Sequence, residues 1–598
     1  MAGLSHSRNI LLLGSNDRAG LAICRALGQA GHRVSILRLA AQRTPADHSR
    51  FCLESLHIGA PDSSVSEYLA RFTDLLRSRT YDYLVPVDNL AYELIYSDYL
   101  AISSLTRVIG PDPASYMVAH NKFDALAVAE SIGLARPVTQ LVKRGEAPSA
   151  PLLPCFVRPV VSCAILDDEW QRFTVRKVDT IENLDAKLRD DLPRVDVMLQ
   201  VPVSGASLGL NCCSIDGDVL GASVTLRLHE SSRGGGSSYR KIGNMSPHLL
   251  AIIEAMARQL SWTGFMTINC KEECGRLYFM TLTGRPCGAI ALSLFAGVDF
   301  PNLILNGLEG KRRVGISLPT KIAYMRDLRR DVAWLASKAT KGDGPSVIAP
   351  WIASFGRVLI GWERFDIEQA ADPLPAIRQF DRGARALREK IESRLSLAFR
   401  HATTAKPATG ILTKSSSLLI VCQGNINRSV VAEHLFRARG FTQVRSAGLL
   451  AMSGRRPSIH AERFLAERMG IDISAFRSKS VSRALAEIGN VDLVLCFEQG
   501  QAAELARRFP NLSGKIFVLS SFAHGGERQS DISDPHGASP ETYLACFRRI
   551  DKLVGQVAKD EALRDRPAGA LATGDSRGIL TEGQCETKSD GGNSGRGN

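Results

Sequence analysis

The chain opens with an alternation of apolar and polar segments that predicts a parallel α/β unit. An apolar run at NILLL is followed by a glycine turn, by an amphipathic helical segment and by a second apolar run at RVSIL. A further strand is predicted at YDYLVPV, residues 81–87. The turn from Gly14 to Gly20 lacks the full G-x-G-x-x-G order of a dinucleotide site, so we assign these glycines to the packing of helix against strand.

A second group of predicted elements begins at His120. A helix start at NKFDALAVAESIGLARPVT precedes strands at CFVRPV, VDVMLQVPVSG, GFMTINC and RLYFMTL. The order of these motifs, together with the loop RLHESSRGGGSSYR and the ending GRPCGAIALSLFAGVDFPNLI, resembles the ATP-grasp superfamily. The resemblance implies an ATP-grasp domain at residues 120–315, a preceding α/β domain at 1–119, and a C-terminal extension of this half at 316–402.

The segment SSLLIVCQGNINRSVVAEHLFRARG combines an apolar strand with a helix that has an apolar face. Cys422 ends the strand, Arg428 begins the helix, and five residues lie between them. Such a loop can turn successive backbone N–H groups inward at a helix amino terminus, which binds a tetrahedral oxyanion and favours the thiolate form of the cysteine. The planar guanidinium of Arg428 can bind two phosphate oxygens at once, which a lysine cannot do.

This loop resembles that of the low-molecular-weight protein tyrosine phosphatases, which runs Cys-x-Gly-Asn-x-x-Arg-Ser. The later segments SAG, MGIDIS, FRSKSVS, VDLVLCF and DISDPHG follow the order of that family. The resemblance covers residues 416–560 and implies a doubly wound domain with a parallel sheet. It also implies hydrolysis of protein phosphotyrosine or small aryl phosphates through a phosphocysteine intermediate, without a cofactor.

The resemblance assigns a role to each residue of the site. Cys422 is the nucleophile, Arg428 stabilises the transition state, and Asp534 is the general acid for the leaving oxygen and then the base for water. Ser429 corresponds to the residue that hydrogen-bonds the thiolate, and Asn425 to the one that holds the strained backbone of the loop. The other residues of the phosphate loop are Gln423, Gly424, Ile426 and Asn427.

Two positions depart from the family pattern. Asn427 stands where many members have a second cysteine, so no protective disulfide with Cys422 is expected there. His536 stands where an aromatic residue usually stacks on phosphotyrosine. The sequence therefore supports a preference for aryl phosphates less strongly than it supports phosphatase chemistry. Arsenate reduction, an alternative on the same fold, requires a closely spaced pair of further cysteines, and Cys496 and Cys546 do not form one.

In the ATP-grasp-like half, the resemblance implies nucleotide contacts from Lys122, Arg158, Gln200 and Val203. Active members of the superfamily hold magnesium with two glutamates and one asparagine, and here those positions carry Asn269, Thr281 and Thr283. We therefore predict no metal site and no ligation, with ATP as a candidate ligand of a regulatory or docking module. A bifunctional ligase and phosphatase is the alternative interpretation.

Composition and charge limit the classes of binding partner that we expect for this chain. The 598 residues include 74 basic and 61 acidic ones, a net charge of +13. The basic residues are scattered and no nucleic-acid-binding motif accompanies them, so we expect no nucleic-acid partner. The expected partner is a phosphotyrosine protein, such as a bacterial tyrosine kinase, or a small aryl phosphate.

The sequence also predicts a cytoplasmic location. The apolar run near the amino terminus is too short for a signal peptide, and no segment approaches the ~20 apolar residues of a membrane span. Thirteen cysteines without a C-x-x-C spacing are typical of reduced thiols. Composition further predicts a linker at residues 403–415 and a disordered tail at 561–598.

Overall fold

The computed structural model describes residues 7–562 except 15–16, 62–63, 147, 149–151, 193, 231–235, 312–313, 340–343, 382–412, 452–453 and 523–530. The predicted linker up to residue 412, the predicted extension from 382 onwards and the predicted tail after residue 562 lie outside the described residues. The chain divides into two compact units, Met1–Ser396 and Leu397–Asn598.

The first unit begins with a five-stranded parallel sheet. Its strands are β1 (Asn9–Leu13), β2 (Arg33–Leu37), β3 (Cys52–Leu56), β4 (Tyr83–Pro86) and β5 (Arg107–Val108), in the spatial order β3-β2-β1-β4-β5. Its helices are Asp17–Gln29, Val65–Ser78, Asn89–Ser97, Tyr99–Ser103 and Pro113–His120, with a short 3-10 helix at Pro45–His48. The predicted strand–turn–helix–strand opening is confirmed.

A smaller antiparallel sheet follows. Its strands are β6 (Thr139–Val142), β7 (Cys155–Pro159), β10 (Arg176–Val178) and β11 (Val197–Gln200), in the order β10-β7-β11-β6, and β8 (Cys163–Leu166) pairs with β9 (Glu169–Arg172) as a separate hairpin. The helices here are Lys122–Ser131 and Ile181–Asp191. Asn121 caps the first of them, because its side chain accepts from the backbone N–H groups of Phe123 and Asp124.

A seven-stranded sheet completes the first unit, antiparallel except where β17 meets β18. Its strands are β12 (Ala206–Ile215), β13 (Asp218–Glu230), β14 (Ser237–Gly243), β15 (Gly264–Glu273), β16 (Arg276–Thr283), β17 (Tyr324–Arg326) and β18 (Glu363–Phe365), in the order β16-β15-β12-β13-β14-β17-β18. The helices are Pro247–Gln259, Ile290–Phe295, Phe300–Leu308, Leu328–Ala339, Gly344–Ser354 and Gly356–Leu359. Mixed α/β architecture is thus confirmed for this half.

The second unit is built on a four-stranded parallel sheet. Its strands are β19 (Leu418–Cys422), β20 (Val444–Gly448), β21 (Leu493–Cys496) and β22 (Ile516–Val518), in the order β20-β19-β21-β22. The helices are Arg428–Arg437, Ile459–Met469, Val481–Ile488, Gln499–Arg508 and Pro540–Ala562, with 3-10 turns at Pro510–Lys515 and Leu519–Phe522.

Every residue of β19 is buried, and its side chains alternate between two apolar cores. Leu418 and Ile420 belong to a core that includes Phe436, whereas Leu419 and Val421 belong to a second core on the other face. Helices therefore cover both faces, as predicted for a doubly wound domain. Because β19 lies between two neighbours, the residues that follow it emerge at the carboxyl edge of the sheet, where such folds bind ligands. Among the described residues of the whole chain, no helix combines the length and apolar character needed to cross a bilayer.

Candidate active site

The strand-to-helix loop lies where the predicted phosphate site should be. Cys422 ends β19, only 2% of its surface is exposed, and the helix Arg428–Arg437 begins after the loop. The loop passes directly beside Gly448, the last residue of β20. A Cβ atom on that glycine would lie 2.9 Å from both the Asn425 nitrogen and the Gln423 carbonyl oxygen, too close for any other residue. This close approach explains why the SAG segment ends in a glycine, Gly448.

Asn425 holds the loop in its bend. Its φ of +52° lies in the left-handed region, which costs energy for a residue other than glycine. Its side-chain nitrogen donates to the hydroxyls of Ser429 and Ser446, at 2.9 Å each, and its side-chain oxygen accepts from the Lys479 backbone N–H at 2.8 Å. Since these hydrogen bonds are buried, they offset the strained backbone conformation.

The sulfur of Cys422 has two hydrogen-bonding neighbours. The hydroxyl oxygen of Ser429 lies 3.0 Å from Sγ, and the Asn425 backbone N–H donates to Sγ at 3.3 Å. Both groups can donate a hydrogen bond to the sulfur, and the amino terminus of the helix Arg428–Arg437 lies close by.

Arg428 is fully buried beside the loop. Its Nη1 donates to the Glu498 carboxylate and, at 2.6 Å, to the Ile532 carbonyl oxygen. Its Nη2 forms an ion pair with Asp534 Oδ2 at 2.9 Å. Neither Nε nor Nη2 has a hydrogen-bond partner among the residues that the structure describes. Burial alone would lower the pKa of this guanidinium, but the charges of Cys422, Asp534 and Glu498 outweigh burial and raise it.

A buried donor without a hydrogen-bond acceptor is a marker for a ligand, because an unmade hydrogen bond in a dry site costs free energy. Here Nε and Nη2 of Arg428 belong to one planar group, so they can donate in parallel to two oxygens of a phosphate. The geometry therefore suits a tetrahedral oxyanion held between Arg428 and the loop.

Asp534 lies opposite the loop, with 32% of its side chain exposed. Its Oδ1 accepts from the His536 backbone N–H at 3.3 Å, and the next residue, Gly537, donates its N–H to the Tyr543 hydroxyl at 3.1 Å. The DPHG turn is thereby tied to the helix Pro540–Ala562. The carboxylate of Asp534 thus faces Arg428 from a fixed turn. These two residues are 106 positions apart in the chain (534 − 428), so the sequence alone does not reveal their contact.

The remaining loop residues differ in exposure. Ile426 and Asn427 are buried, Gln423 is exposed, and Gly424 is half-buried. The side-chain oxygen of Asn427 has no hydrogen-bond partner within the described parts of the chain. The position that carries a cysteine in many relatives of this loop is thus a buried amide here.

The two other cysteines among the described residues of this unit lie on different elements. Cys496 is fully buried at the end of β21, and burial raises its pKa well above the ordinary value. Cys546 lies on the helix Pro540–Ala562 with Sγ 3.8 Å from the Ser533 carbonyl oxygen, and burial raises its pKa to about 12. Neither thiol is therefore activated as a nucleophile.

Sequence reasoning missed Glu498. It comes two residues after β21, which pairs with β19, so it emerges at the same edge of the sheet as Cys422. A polar residue just beyond a buried strand that neighbours the cysteine strand was the available signal.

The predicted nucleotide contacts of the first unit lie close together. Lys122 Nζ donates to the Pro159 carbonyl oxygen at 2.8 Å, and Arg158 donates to the Gln200 side chain and, at 2.8 Å, to the Met280 carbonyl oxygen. Both cations are about 8% exposed, and neither forms an ion pair with a carboxylate among the described residues. Burial, followed by the charge of Arg158, lowers the pKa of Lys122 to about 7, and burial lowers that of Arg158 to about 10.

The predicted hinge residue Val203 is also part of this region, since its carbonyl oxygen accepts from Lys271 Nζ at 2.9 Å. The three positions aligned with magnesium ligands meet at β15 and β16. The side-chain nitrogen of Asn269 donates to Thr283 Oγ1 at 3.2 Å, and its oxygen accepts from the Arg227 guanidinium at 2.5 Å. Neutral oxygens beside a fixed cation do not fit a divalent metal ion.

Comparisons with known proteins address the C-terminal unit most directly. Residues 417–566 match the model for low molecular weight phosphotyrosine protein phosphatase. The chain is 33% identical over 144 residues to a protein-arginine-phosphatase of Geobacillus stearothermophilus, covering 24% of this chain and 93% of the relative. It is 31% identical over 145 residues to the low molecular weight protein-tyrosine-phosphatase Wzb of Escherichia coli K12, covering 24% of this chain and 94% of that protein.

For the N-terminal half, a solved structure of L-amino acid ligase from Bacillus licheniformis is similar, with 14% identity, a TM-score of 0.41, and coverage of 54% of this chain and 80% of the ligase. At the C-terminal unit, the matched residues include the cysteine loop, the buried arginine and the DPHG turn. Through this unit, the chain belongs to the low molecular weight phosphotyrosine protein phosphatase family.

Proposed function

We propose that the C-terminal unit hydrolyses phosphotyrosine in proteins through a phosphocysteine intermediate. The observation that carries this proposal is a nucleophile beside a group of available donors. Cys422 Sγ lies between two hydrogen-bond donors, and in the buried Arg428 Nε has no acceptor among the described residues and Nη2 makes only an ion pair with Asp534. A phosphate between them would be bound by charge-assisted hydrogen bonds and would face the sulfur.

The reaction follows from these positions. The Cys422 thiolate attacks phosphorus, a sulfur–phosphorus bond forms, and the bond from phosphorus to the tyrosine oxygen breaks. Asp534 gives its proton to that leaving oxygen, and Arg428 with the loop amides stabilises the charge on the equatorial oxygens. Asp534 then takes a proton from water, which attacks the phosphocysteine and releases inorganic phosphate and the thiolate.

The substrate residue is the finer part of the proposal. Relatives of similar identity are named for tyrosine or for arginine, and His536 stands where an aromatic side chain would stack on a phenyl ring. We put phosphotyrosine first, with small aryl phosphates beside it, because the family model is that of a phosphotyrosine phosphatase. Phosphoarginine is the second candidate, because a relative that shares a third of its residues with this unit carries that name.

The test is a set of peptides that are identical except for one phosphorylated residue: tyrosine, arginine or serine. Phosphate release by the full chain should give the highest kcat/KM for phosphotyrosine, and Cys422→Ser should reduce release to background while circular dichroism remains unchanged. A higher kcat/KM for phosphoarginine would replace the tyrosine assignment. Turnover by the folded Cys422→Ser chain would refute the cysteine mechanism itself, whichever peptide is preferred.

We propose, as a second function, that the N-terminal half binds a phosphate-bearing ligand such as ATP. The specific observation in its favour is that Lys122 and Arg158 are buried cations without a carboxylate partner among the described residues. Burying an uncompensated charge costs several kcal/mol, and an anionic ligand would offset that cost. Binding without turnover would suit a regulatory or docking module.

Calorimetry of the full chain with ATP, with and without magnesium, tests this second proposal. We expect binding that does not require magnesium and that weakens in Arg158→Gln. ADP release that rises with magnesium and with a particular amino acid or carboxylic acid would instead establish the ligase alternative. Absence of binding at millimolar ATP would reject the nucleotide assignment.

A further inference from the structure

Arg428 is held by hydrogen bonds at Nη1, whereas Nη2 at the other end has only its ion pair with Asp534. Its Nη1 donates to two acceptors, the Glu498 carboxylate and the Ile532 carbonyl oxygen at 2.6 Å. The other two nitrogens, Nε and Nη2, have no hydrogen-bond partner among the described residues. Because the guanidinium is planar, fixing Nη1 with two acceptors also fixes the direction in which the edge formed by Nε and Nη2 points.

The side chain of Glu498 is available to fix the direction of the Arg428 guanidinium. It is the N-cap residue of the helix Gln499–Arg508, a position from which a side-chain oxygen can accept from the first backbone N–H groups. Here its side chain makes no capping hydrogen bond. The carboxylate contacts Arg428 instead, while Asp531 Oδ1 accepts from the Gln499 backbone N–H at 3.0 Å at the start of this helix.

The two carboxylates that contact Arg428 occupy different edges of it. Asp534 lies 2.9 Å from Nη2, on the edge that a phosphate needs. Glu498 contacts Nη1, on the opposite end of the group. A phosphate that binds Nε and Nη2 would therefore compete with Asp534 for Nη2, whereas Glu498 contacts a nitrogen that this phosphate does not use.

We propose that Glu498 is a positioning residue for the phosphatase reaction: it holds Arg428 so that Nε and Nη2 face the transferred phosphoryl group throughout the cycle. This rests on the proposed phosphatase function and deepens it. Once Asp534 moves to the leaving oxygen as general acid, Glu498 is the remaining carboxylate partner of Arg428 among the described residues.

The role can be separated from a simple effect of charge, because the two make opposite predictions. If Glu498 were only a negative charge near an anion site, its removal would strengthen phosphate binding and leave turnover unchanged. If it orients Arg428, its removal slows turnover, because misplacing a group that stabilises the transition state by 1 Å can cost on the order of 10²-fold.

The experiment compares Glu498→Gln with the matched control Glu504→Gln in the full chain. Glu504 lies on the same helix with similar side-chain exposure, 33% against 31%, but it pairs with Arg507 and Arg508 rather than with Arg428. We expect Glu498→Gln to lower kcat for a phosphotyrosine peptide by roughly 10- to 100-fold, with inhibition by inorganic phosphate unchanged or weaker. Glu504→Gln should stay within about twofold of the native chain, and Glu498→Asp should fall between.

A measurement on the native chain covers the case in which Glu498→Gln does not fold. In nitrogen NMR spectra, phosphate should shift the Nε and Nη2 signals of Arg428, while the Nη1 signals keep their position and slow exchange. An unchanged kcat with tighter phosphate inhibition in Glu498→Gln, or loss of the Nη1 contact when phosphate binds, would overturn the proposal. Activity in Cys422→Ser would refute the phosphatase mechanism instead, so the two failures are distinguishable.

Discussion

The two units handle buried cations in opposite ways. Arg428 is surrounded by negative neighbours, and its pKa is raised despite burial. Lys122 and Arg158 are also buried, have only neutral oxygens as hydrogen-bond partners among the described residues, and have lowered pKa values. A cation with its own counter-charges stays ionised and can exchange one carboxylate for a phosphate during each turnover. A cation without them depends on a ligand for its stability in the charged form.

Replacing the guanidinium of Arg428 tests the first side of this comparison and should have the largest effect. Arg428→Lys keeps the charge but cannot donate through two parallel N–H groups, so we expect kcat to fall by about 10³-fold. Steady-state kinetics with a phosphotyrosine peptide measure this. Arg439→Lys is the control, since Arg439 is in the same unit and pairs with Asp551 away from the loop. A loss below about tenfold in Arg428→Lys would mean that charge alone is sufficient.

Removing the carboxylate that exchanges with phosphate should have the next largest effect. Asp534→Ala is expected to slow phosphotyrosine peptide hydrolysis by roughly 10²-fold or more, because this leaving group needs a proton in the transition state. An activated ester such as p-nitrophenyl phosphate should lose much less. Equal losses for the two substrates would give Asp534 a structural role in place of general acid catalysis.

The buried cations of the first unit, which have no carboxylate partner among the described residues, should make the free energy of unfolding depend on pH. The pKa of Lys122 is about 7 in the folded state against an ordinary value of 10.5, so between these values the unfolded chain binds more protons than the folded one. The free energy of unfolding should therefore rise with pH across this window, by at most about 1.4 kcal/mol per pH unit, and the penalty should be fully present below pH 7.

Tryptophan fluorescence can follow this unit alone, because all 5 tryptophans of the chain precede residue 397. Urea unfolding at several pH values measures how the free energy of unfolding rises with pH. Lys122→Met should make this slope smaller, and saturating ATP should also make it smaller if the ligand compensates the charge of Lys122. The same slope in the native chain and in Lys122→Met would show that another group causes it.

Brief exposure to peroxide should have the smallest effect on activity. Whether lost activity can be recovered should depend on the residue at position 427, which is Asn427 here. With an amide in the position of a neighbouring cysteine, and with the thiols of Cys496 and Cys546 held by burial in the protonated form, the sulfenic acid of Cys422 lacks a ready partner. Prolonged peroxide treatment should therefore cause activity loss that dithiothreitol does not restore, whereas Asn427→Cys should recover. Full recovery of the native chain would show that another thiol, such as Cys496 or Cys546, resolves the sulfenic acid, and mass spectrometry of the disulfide would identify it.

Much of the C-terminal unit could be predicted from local sequence. The apolar run before Cys422, the five-residue spacing to Arg428 and the helical pattern after it are all local features, and they predict the strand, loop and helix that the structure contains. Asn425 could be singled out by the motif, but its partners Ser446 and Lys479 could not, because they come from separate elements that meet only in the folded sheet.

The sequence by itself determined which residue types could do this chemistry: a cysteine and an arginine at the two ends of a phosphate-binding loop, and an acid in a turn. Only the tertiary structure decided which nitrogen of Arg428 is held by hydrogen bonds and which one faces Asp534, because Glu498 follows β21 whereas Ile532 and Asp534 belong to the DISDPHG segment. It also decided that Lys122 and Arg158 are buried together without a carboxylate within the described chain. Charge compensation depends on distance in space, and sequence patterns specify distance only within an element.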